Sequence, residues 1–215
     1  MGVEREKQLA AEAAAELVEG GMRVGLGTGT TVAHLLPTLA RRRLDISCVA
    51  TSLATEQAAR GLGLRMESFA GTDALSSLDL AIDGADQVDS SGRLVKGGGA
   101  ALTREKVVAA AADRFVVIVS SDKLVERLRP PIPLELLEFG LAATLRRLGK
   151  VRLRDVPRSP DGGVIADYVG AFDDPDELAA RLSATVGVIE HGLFSAWLVS
   201  EVIVGREDGV ETRKL

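Results

Sequence analysis

Short apolar runs alternate with helix-period segments through the first 120 residues, and this alternation most narrows the folds open to the chain. Apolar positions at spacings of four, Leu9, Ala13, Leu17 and Ala10, Ala14, Val18, predict an amphipathic helix over Arg5 to Glu19 that ends at Gly20 and Gly21. Strand Met22 to Leu26, loop Gly27 to Thr31 and helix Val32 to Arg43 follow, the helix bent where Pro37 removes a donor. The pattern continues with strand Ile46 to Ala50, helix Ala54 to Gly61, a short strand near Leu64 to Glu67 and strand Leu78 to Ile82. Helix Arg104 to Ala112 and strand Phe115 to Ser120 complete it, so a parallel sheet covered by helices is expected.

Three of the seven prolines then fall in Arg129-Pro130-Pro131-Ile132-Pro133, a stretch read as resisting both helix and sheet, and a boundary is placed there. Beyond it come helix Glu135 to Leu148, strand Val151 to Arg154, an Asp161-Gly162-Gly163 turn, strand Val164 to Val169 and helix Pro175 to Thr185. This predicts a compact α+β satellite. Leu198 to Val204, Asp208-Gly209 and Val210 to Arg213 read as a hairpin returning to the main sheet. The expected division is residues 1–128 with 198–215, and 129–197.

Bulk properties exclude several functions. A formal charge of −5 gives no sequence-wide basic footprint for nucleic acid. One cysteine, Cys48, precludes an intrachain disulfide framework, and His34 and His191 offer little material for a metal site. No apolar run approaches the ~20 residues of a membrane span, the charged start lacks a signal sequence, and the expected setting is cytoplasmic.

Three motifs carry chemistry. Gly25-Leu26-Gly27-Thr28-Gly29-Thr30-Thr31, between a strand and a helix, reads as a phosphate cradle of backbone amides and hydroxyls at a helix N-terminus. It lacks the Gly-Lys-Ser/Thr ending of a P-loop, and Thr30 stands where a dinucleotide fingerprint needs its third glycine, although Asp45 is near the spacing of a ribose-binding acid. A ligand-free tight turn is the competing reading. Asp83-Gly84-Ala85-Asp86, at a strand's carboxyl end, either faces substrate hydroxyls or organises an Asx-type turn. Lys96-Gly97-Gly98-Gly99-Ala100-Ala101-Leu102-Thr103-Arg104-Glu105-Lys106 is the most informative. Three glycines suit close backbone approach to a ligand, Thr103 reads as an N-cap, and Glu105 in the first turn becomes a general-base candidate. The helix N-terminus would lower its pKa and desolvation would raise it; the alternative is an acid that merely favours the helix dipole.

In this order and spacing, Gly27-Thr28-Gly29-Thr30-Thr31, Asp83-Gly84-Ala85-Asp86 and the Lys96 to Lys106 motif resemble the signature set of type A ribose-5-phosphate isomerases. The resemblance extends through Ser121-Asp122-Lys123, Gly162-Gly163-Val164-Ile165-Ala166-Asp167 and Gly192-Leu193-Phe194, with Thr30 where many members carry Ser. It implies a three-layer, Rossmann-like, mostly parallel sheet with a smaller α+β, ferredoxin-like domain, no cofactor and no metal, and a homodimer or homotetramer. By resemblance Glu105 is the proton acceptor, with Asp83, Asp86 and Lys96 assisting the chemistry. Thr28, Gly29, Thr30, Thr31, Asp83, Gly84, Ala85, Asp86, Lys96, Gly97, Gly98, Gly99 and Lys123 bind the sugar phosphate. The implied reaction interconverts ribose 5-phosphate and ribulose 5-phosphate through an enediol. Rival readings are a non-catalytic sugar-phosphate sensor of related fold, an acyl-carrier transferase or amino-sugar-phosphate deaminase, and a nicotinamide dehydrogenase. A Ser-His-Asp hydrolase is poorly supported, since His34 falls in a helix and His191 in a loop.

Overall fold

The computed structural model describes residues 2–215; Met1, the first residue of the expected main division, lies outside them. Helix α1 (Gly2–Ala15) buries Ala10, Ala11, Ala14 and Ala15. It starts before the expected Arg5 and stops four residues before Glu19, as Glu16, Leu17 and Val18 continue in tighter turns bonded three residues back. There follow β1 (Arg23–Leu26), α2 (Thr30–Arg42), β2 (Ser47–Ala50), α3 (Leu53–Gly61), β3 (Arg65–Met66), β4 (Leu80–Asp83), β5 (Gln87–Val88), β6 (Leu94–Val95), α4 (Leu102–Ala110) and β7 (Phe115–Ser120). Then come β8 (Ile132–Leu136), α5 (Leu141–Leu148), β9 (Val151–Leu153), β10 (Val164–Tyr168), α6 (Pro175–Ser183), β11 (Val188–His191), β12 (Leu193–Phe194), β13 (Glu201–Arg206) and β14 (Gly209–Lys214).

The main sheet runs β14-β13-β7-β4-β1-β2-β3, parallel throughout except for the β13/β14 hairpin. Both faces are covered, as strands with uninterrupted apolar runs require. Along β7, Val116 and Ile118 pack with Ala10, Ala14, Leu35 and Leu39 of α1 and α2. Phe115, Val117 and Val119 point the other way, into a second core with Val108, Ala109 and Phe194. The expected three-layer arrangement is present, and the last hairpin does return to the main sheet.

A second, antiparallel sheet has the order β11-β8-β10-β9 and the chain path β8-α5-β9-β10-α6-β11, which is the ferredoxin-like split βαβ arrangement. Two sequence expectations fail here. Ile132–Leu136 is an inner strand of this sheet, although it contains Pro133 and overlaps the stretch read as sheet-resistant. Pro133 lacks a donor but still accepts from the Gly192 N–H at 2.7 Å, and Ile132, Leu134 and Leu136 fill the core of this sheet. The helix expected from Glu135 begins only at Leu141, because that burial outweighs the helix preference of Glu135. Asp174 caps α6 by accepting from Asp176 and Glu177 N–H groups. A third sheet, β12-β6-β5, ties Leu193–Phe194 to Leu94–Val95.

Candidate active site

Strands β1 and β4 are neighbours, yet the chain proceeds from β1 outward to β2 and β3 before returning to β4. The carboxyl ends of β1 and β4 therefore flank a topological switch point, where a crevice opens beside an α/β sheet. Into it run the Gly27–Thr31 loop after β1, the Gly84–Asp86 loop after β4, the Lys96–Gly99 loop after β6 and the Ser121–Lys123 turn after β7. They enclose a cleft of about 130 Å³ that is lined by Thr28, Gly29, Thr30, Thr31, Gly84, Ala85, Asp86, Lys96, Gly97, Gly98, Gly99, Glu105 and Lys123. Of the residues expected to bind the sugar phosphate or assist the chemistry, Asp83 alone does not line it.

Asp83 lies directly beneath, 3% exposed. Its Oδ1 accepts from the N–H groups of Thr28 at 3.1 Å and Gly84 at 2.7 Å, and its Oδ2 stands 2.9 Å from Lys96 Nζ. Gly27 makes this approach feasible, because a β-carbon there would overlap the Asp83 carboxyl group. Gly27→Ala is accordingly expected to push Asp83 out of its bonds. A melting curve and a turnover assay should register about 1–3 kcal/mol of lost stability together with reduced activity; a variant unchanged in both would contradict this packing.

Lys96 Nζ also donates to the Gly84 carbonyl at 2.5 Å and stands 3.4 Å from Glu105 Oε2. Lys96 and Glu105 are 2% and 3% exposed, so one ammonium shares a nearly dry space with two carboxylates. Among the described residues Asp83 Oδ2 and Glu105 Oε2 have no aligned hydrogen-bond partner; the contact of each with Lys96 is ionic and poorly directed. Burial raises the pKa of Asp83 against the opposing pull of Lys96. Glu105 is pushed up to about 8, first by burial and then by the Asp83 charge, despite Lys96 nearby. Desolvation, which the sequence weighed against the helix N-terminus, prevails. For Lys96 burial opposes the charge, but the two carboxylates hold its pKa above the usual lysine value.

The other residues occupy distinct stations. Asp86 accepts from the Gly98 N–H at 2.8 Å, joining two of the loops. The Thr28 hydroxyl is engaged with buried Thr51 and Thr55, at 2.8 Å and 3.3 Å from their Oγ1 atoms, a threonine cluster that the sequence reading missed. Thr30 opens α2, with Gly29 at its N-cap at a φ of 125° that favours glycine. Lys123, half-exposed at the rim, has Asp122 as an ionic neighbour at 3.4 Å.

Thr103 is not the N-cap expected of it. Ala101 holds that place, and the Thr103 hydroxyl donates instead to Glu135 Oε2 at 2.5 Å. Buried Glu135 also accepts from Ser159, so β8 braces the first turn of α4 two residues before Glu105. His191, expected in a loop, ends β11; burial lowers its pKa to about 4, and Ser183 and the Leu193 N–H bond its ring. His34 sits in α2, 3.2 Å from Glu4. Among the described residues no group of three or more His, Cys, Asp or Glu is arranged to hold a metal ion, and no helix is long and apolar enough to cross a membrane. A larger groove of about 460 Å³, between Phe69, Arg60 and Val107, holds no buried unpaired polar group; its Arg60 and Arg104 are bonded to Glu56 and Asp161. The buried carboxylate and ammonium groups gather instead at the smaller cleft.

Residues 47–209 match the family model described as Ribose 5-phosphate isomerase A (phosphoriboisomerase A). The chain is 44% identical to the Ribose-5-phosphate isomerase A of Methanosarcina acetivorans over 220 residues, 95% of this chain and 92% of that protein. It is similar to the crystal structure of ribose 5 phosphate isomerase A from Neisseria gonorrhoeae, with a TM-score of 0.90 and 31% identity over 97% of this chain and 95% of that one. A D-ribose-5-phosphate isomerase in complex with phospho-erythronic acid superposes with a TM-score of 0.91 and 35% identity over the whole of both chains.

Proposed function

The chain belongs to the ribose 5-phosphate isomerase A family, and from that premise we infer how its cleft interconverts D-ribose 5-phosphate and D-ribulose 5-phosphate. It is an aldose-ketose isomerase of pentose phosphate metabolism. Such a reaction shifts a proton between carbons 1 and 2 through an enediol, so it needs one base within reach of both carbons and a cation or donors beside the oxygen that gains charge.

Glu105 is the base in this reading. The observation that carries it is the unpartnered Glu105 Oε2, buried at the cleft and 3.4 Å from Lys96 Nζ. A binding module has no use for a carboxylate kept dry and unsatisfied, which disfavours a non-catalytic sensor. Lys96 stabilises the enediolate oxygen, with amides of the Gly97–Gly99 loop beside it. Asp83 keeps Lys96 charged and in place. Asp86, on the cleft side, accepts sugar hydroxyls and assists opening of the furanose ring. The Gly29–Thr31 segment at the start of α2 takes the phosphate, where N–H groups and the helix dipole favour an anion, and Lys123 closes the rim over it. Each of these assignments uses only the chain's own groups, so the reaction as proposed calls on no cofactor.

The pH profile tests this. Glu105 must be ionised to accept a proton, so kcat/KM should rise about tenfold per pH unit on its acid side and level off near pH 8. An acid limb centred near the ordinary carboxylate value of 4.5 would remove Glu105 from the role. We also propose a cytoplasmic homodimer or homotetramer, a reading supported by large apolar side chains left exposed at Phe139, Val186 and Trp197. Sedimentation should give two or four times the 22.6 kDa chain mass; a monomer at micromolar concentration would refute it.

A further inference from the structure

We propose that Arg154, held by Asp167, is a positioning residue that fixes which way the peptide groups of the Gly97–Gly99 loop point. The inference rests on the isomerase reading and adds to it a residue from outside the three motifs. Arg154 follows β9, in the antiparallel sheet, and its guanidinium reaches across to the loop after β6. Nη1 donates to the carbonyls of Gly97 at 3.0 Å and Gly98 at 3.2 Å. The opposite edge is anchored, Nε and Nη2 donating to Asp167 Oδ1 at 3.0 and 2.6 Å. Asp167 is 4% exposed on β10 and has a further, looser contact with Arg152 at 3.4 Å. An anchored planar fork of this kind holds two acceptors in fixed directions, which an ammonium cannot do.

The consequence follows from the planarity of the trans peptide, in which C=O and N–H point oppositely. The Gly97 carbonyl shares its peptide plane with the Gly98 N–H, and the Gly98 carbonyl shares its plane with the Gly99 N–H. With both carbonyls drawn toward Arg154, both N–H groups are turned away from it. The Gly98 N–H indeed meets Asp86 at 2.8 Å on the cleft side. Glycine peptides flip at little steric cost, and Gly97 sits at a φ of 101°. Within the loop the Ala100 N–H bonds the Gly97 carbonyl at 3.1 Å, which leaves the next peptide free to turn, and Arg154 is the group that holds both carbonyls. It contacts backbone rather than cleft, and its contribution should therefore appear in the chemical step more than in substrate affinity.

The test uses the full-length protein, Arg154→Ala and Arg154→Lys, with steady-state kinetics and amide exchange. Misdirecting one donor of an oxyanion site costs about 10²–10³-fold in kcat, so Arg154→Ala is expected to lose on the order of 10²-fold in kcat with KM changed by less than about threefold. Millimolar guanidinium should restore much of that loss, and sodium chloride at equal ionic strength should not. Arg154→Lys should show the same division between kcat and KM, which keeps the proposal decidable if the alanine variant does not fold. Exchange at Gly98 to Ala100 should quicken in Arg154→Lys while the β7 amides stay protected. A raised KM at unchanged kcat, a loss that guanidinium does not rescue, or unaltered exchange in the loop would overturn the assignment. Absence of turnover in the wild type would instead refute the isomerase reading, and the exchange experiment would still decide the clamp.

Discussion

Replacing Glu105 by Gln is expected to lower kcat by at least about 10²–10⁴-fold, the usual contribution of a positioned general base, with little change in KM. The amide fits the same space and keeps α4 intact, but it has no lone pair basic enough to take the carbon-bound proton. Stability should move the opposite way. Glu105 is buried with its pKa raised from 4.5 to about 8, so between those values the folded state binds a proton that the unfolded chain has released. Its contribution to stability therefore falls as pH rises through that window. Gln carries no such penalty, and the melting temperature of the variant should gain on wild type between pH 5 and pH 8. Near-normal turnover would end the case for Glu105; a variant that loses both turnover and its fold would reduce it to a packing residue.

Lys96→Met should be the most damaging substitution to the molecule as a whole. Methionine fills the lysine's volume but leaves Asp83 Oδ2 and Glu105 Oε2 facing each other in a dry site without their shared cation. Stripping one partner from a buried ion cluster costs about 3–5 kcal/mol. The loss should be largest at high pH and shrink as acid protonates the two carboxylates, whose pKa values are already raised with Lys96 present. Turnover should vanish beneath detection, since removing the cation beside a developing oxyanion acts on the same step as removing the base. Denaturant curves at pH 5.5 and 8.5 check the sign: equal destabilisation at both would contradict a charge-based role for Lys96.

What could be read from the chain beforehand was whatever is local. The glycines of Gly27-Thr28-Gly29 and Lys96-Gly97-Gly98-Gly99 announce close backbone approach within a few residues, and Asp83 follows directly on the expected strand Leu78 to Ile82, which the structure shows as Leu80–Asp83. Phe115–Ser120 emerged with both bounds correct because six consecutive buried residues leave no competing period. The failures concern partners distant in sequence. Local grounds make Thr103 a cap, whereas Glu135, 32 residues on, claims its hydroxyl. Arg154 meets the Gly97 carbonyl across 57 residues, and nothing near either residue signals it. Pro133 and Glu135 both argued against a strand, yet pairing with Val164–Tyr168 on one side and Val188–His191 on the other outweighs two local preferences. The pKa of Glu105 was likewise open, since helix dipole and burial oppose each other and only the packed structure sets their ratio.

The central claim is proton transfer between carbons 1 and 2 at Glu105, and isotope incorporation addresses it most directly. Wild-type protein, dialysed against a chelator and given ribose 5-phosphate in deuterated water, should form ribulose 5-phosphate with deuterium entering carbon 1, followed by proton NMR, while Glu105→Gln forms none on the same timescale. Deuterated ketose formed by Glu105→Gln as fast as by the wild type would contradict the account.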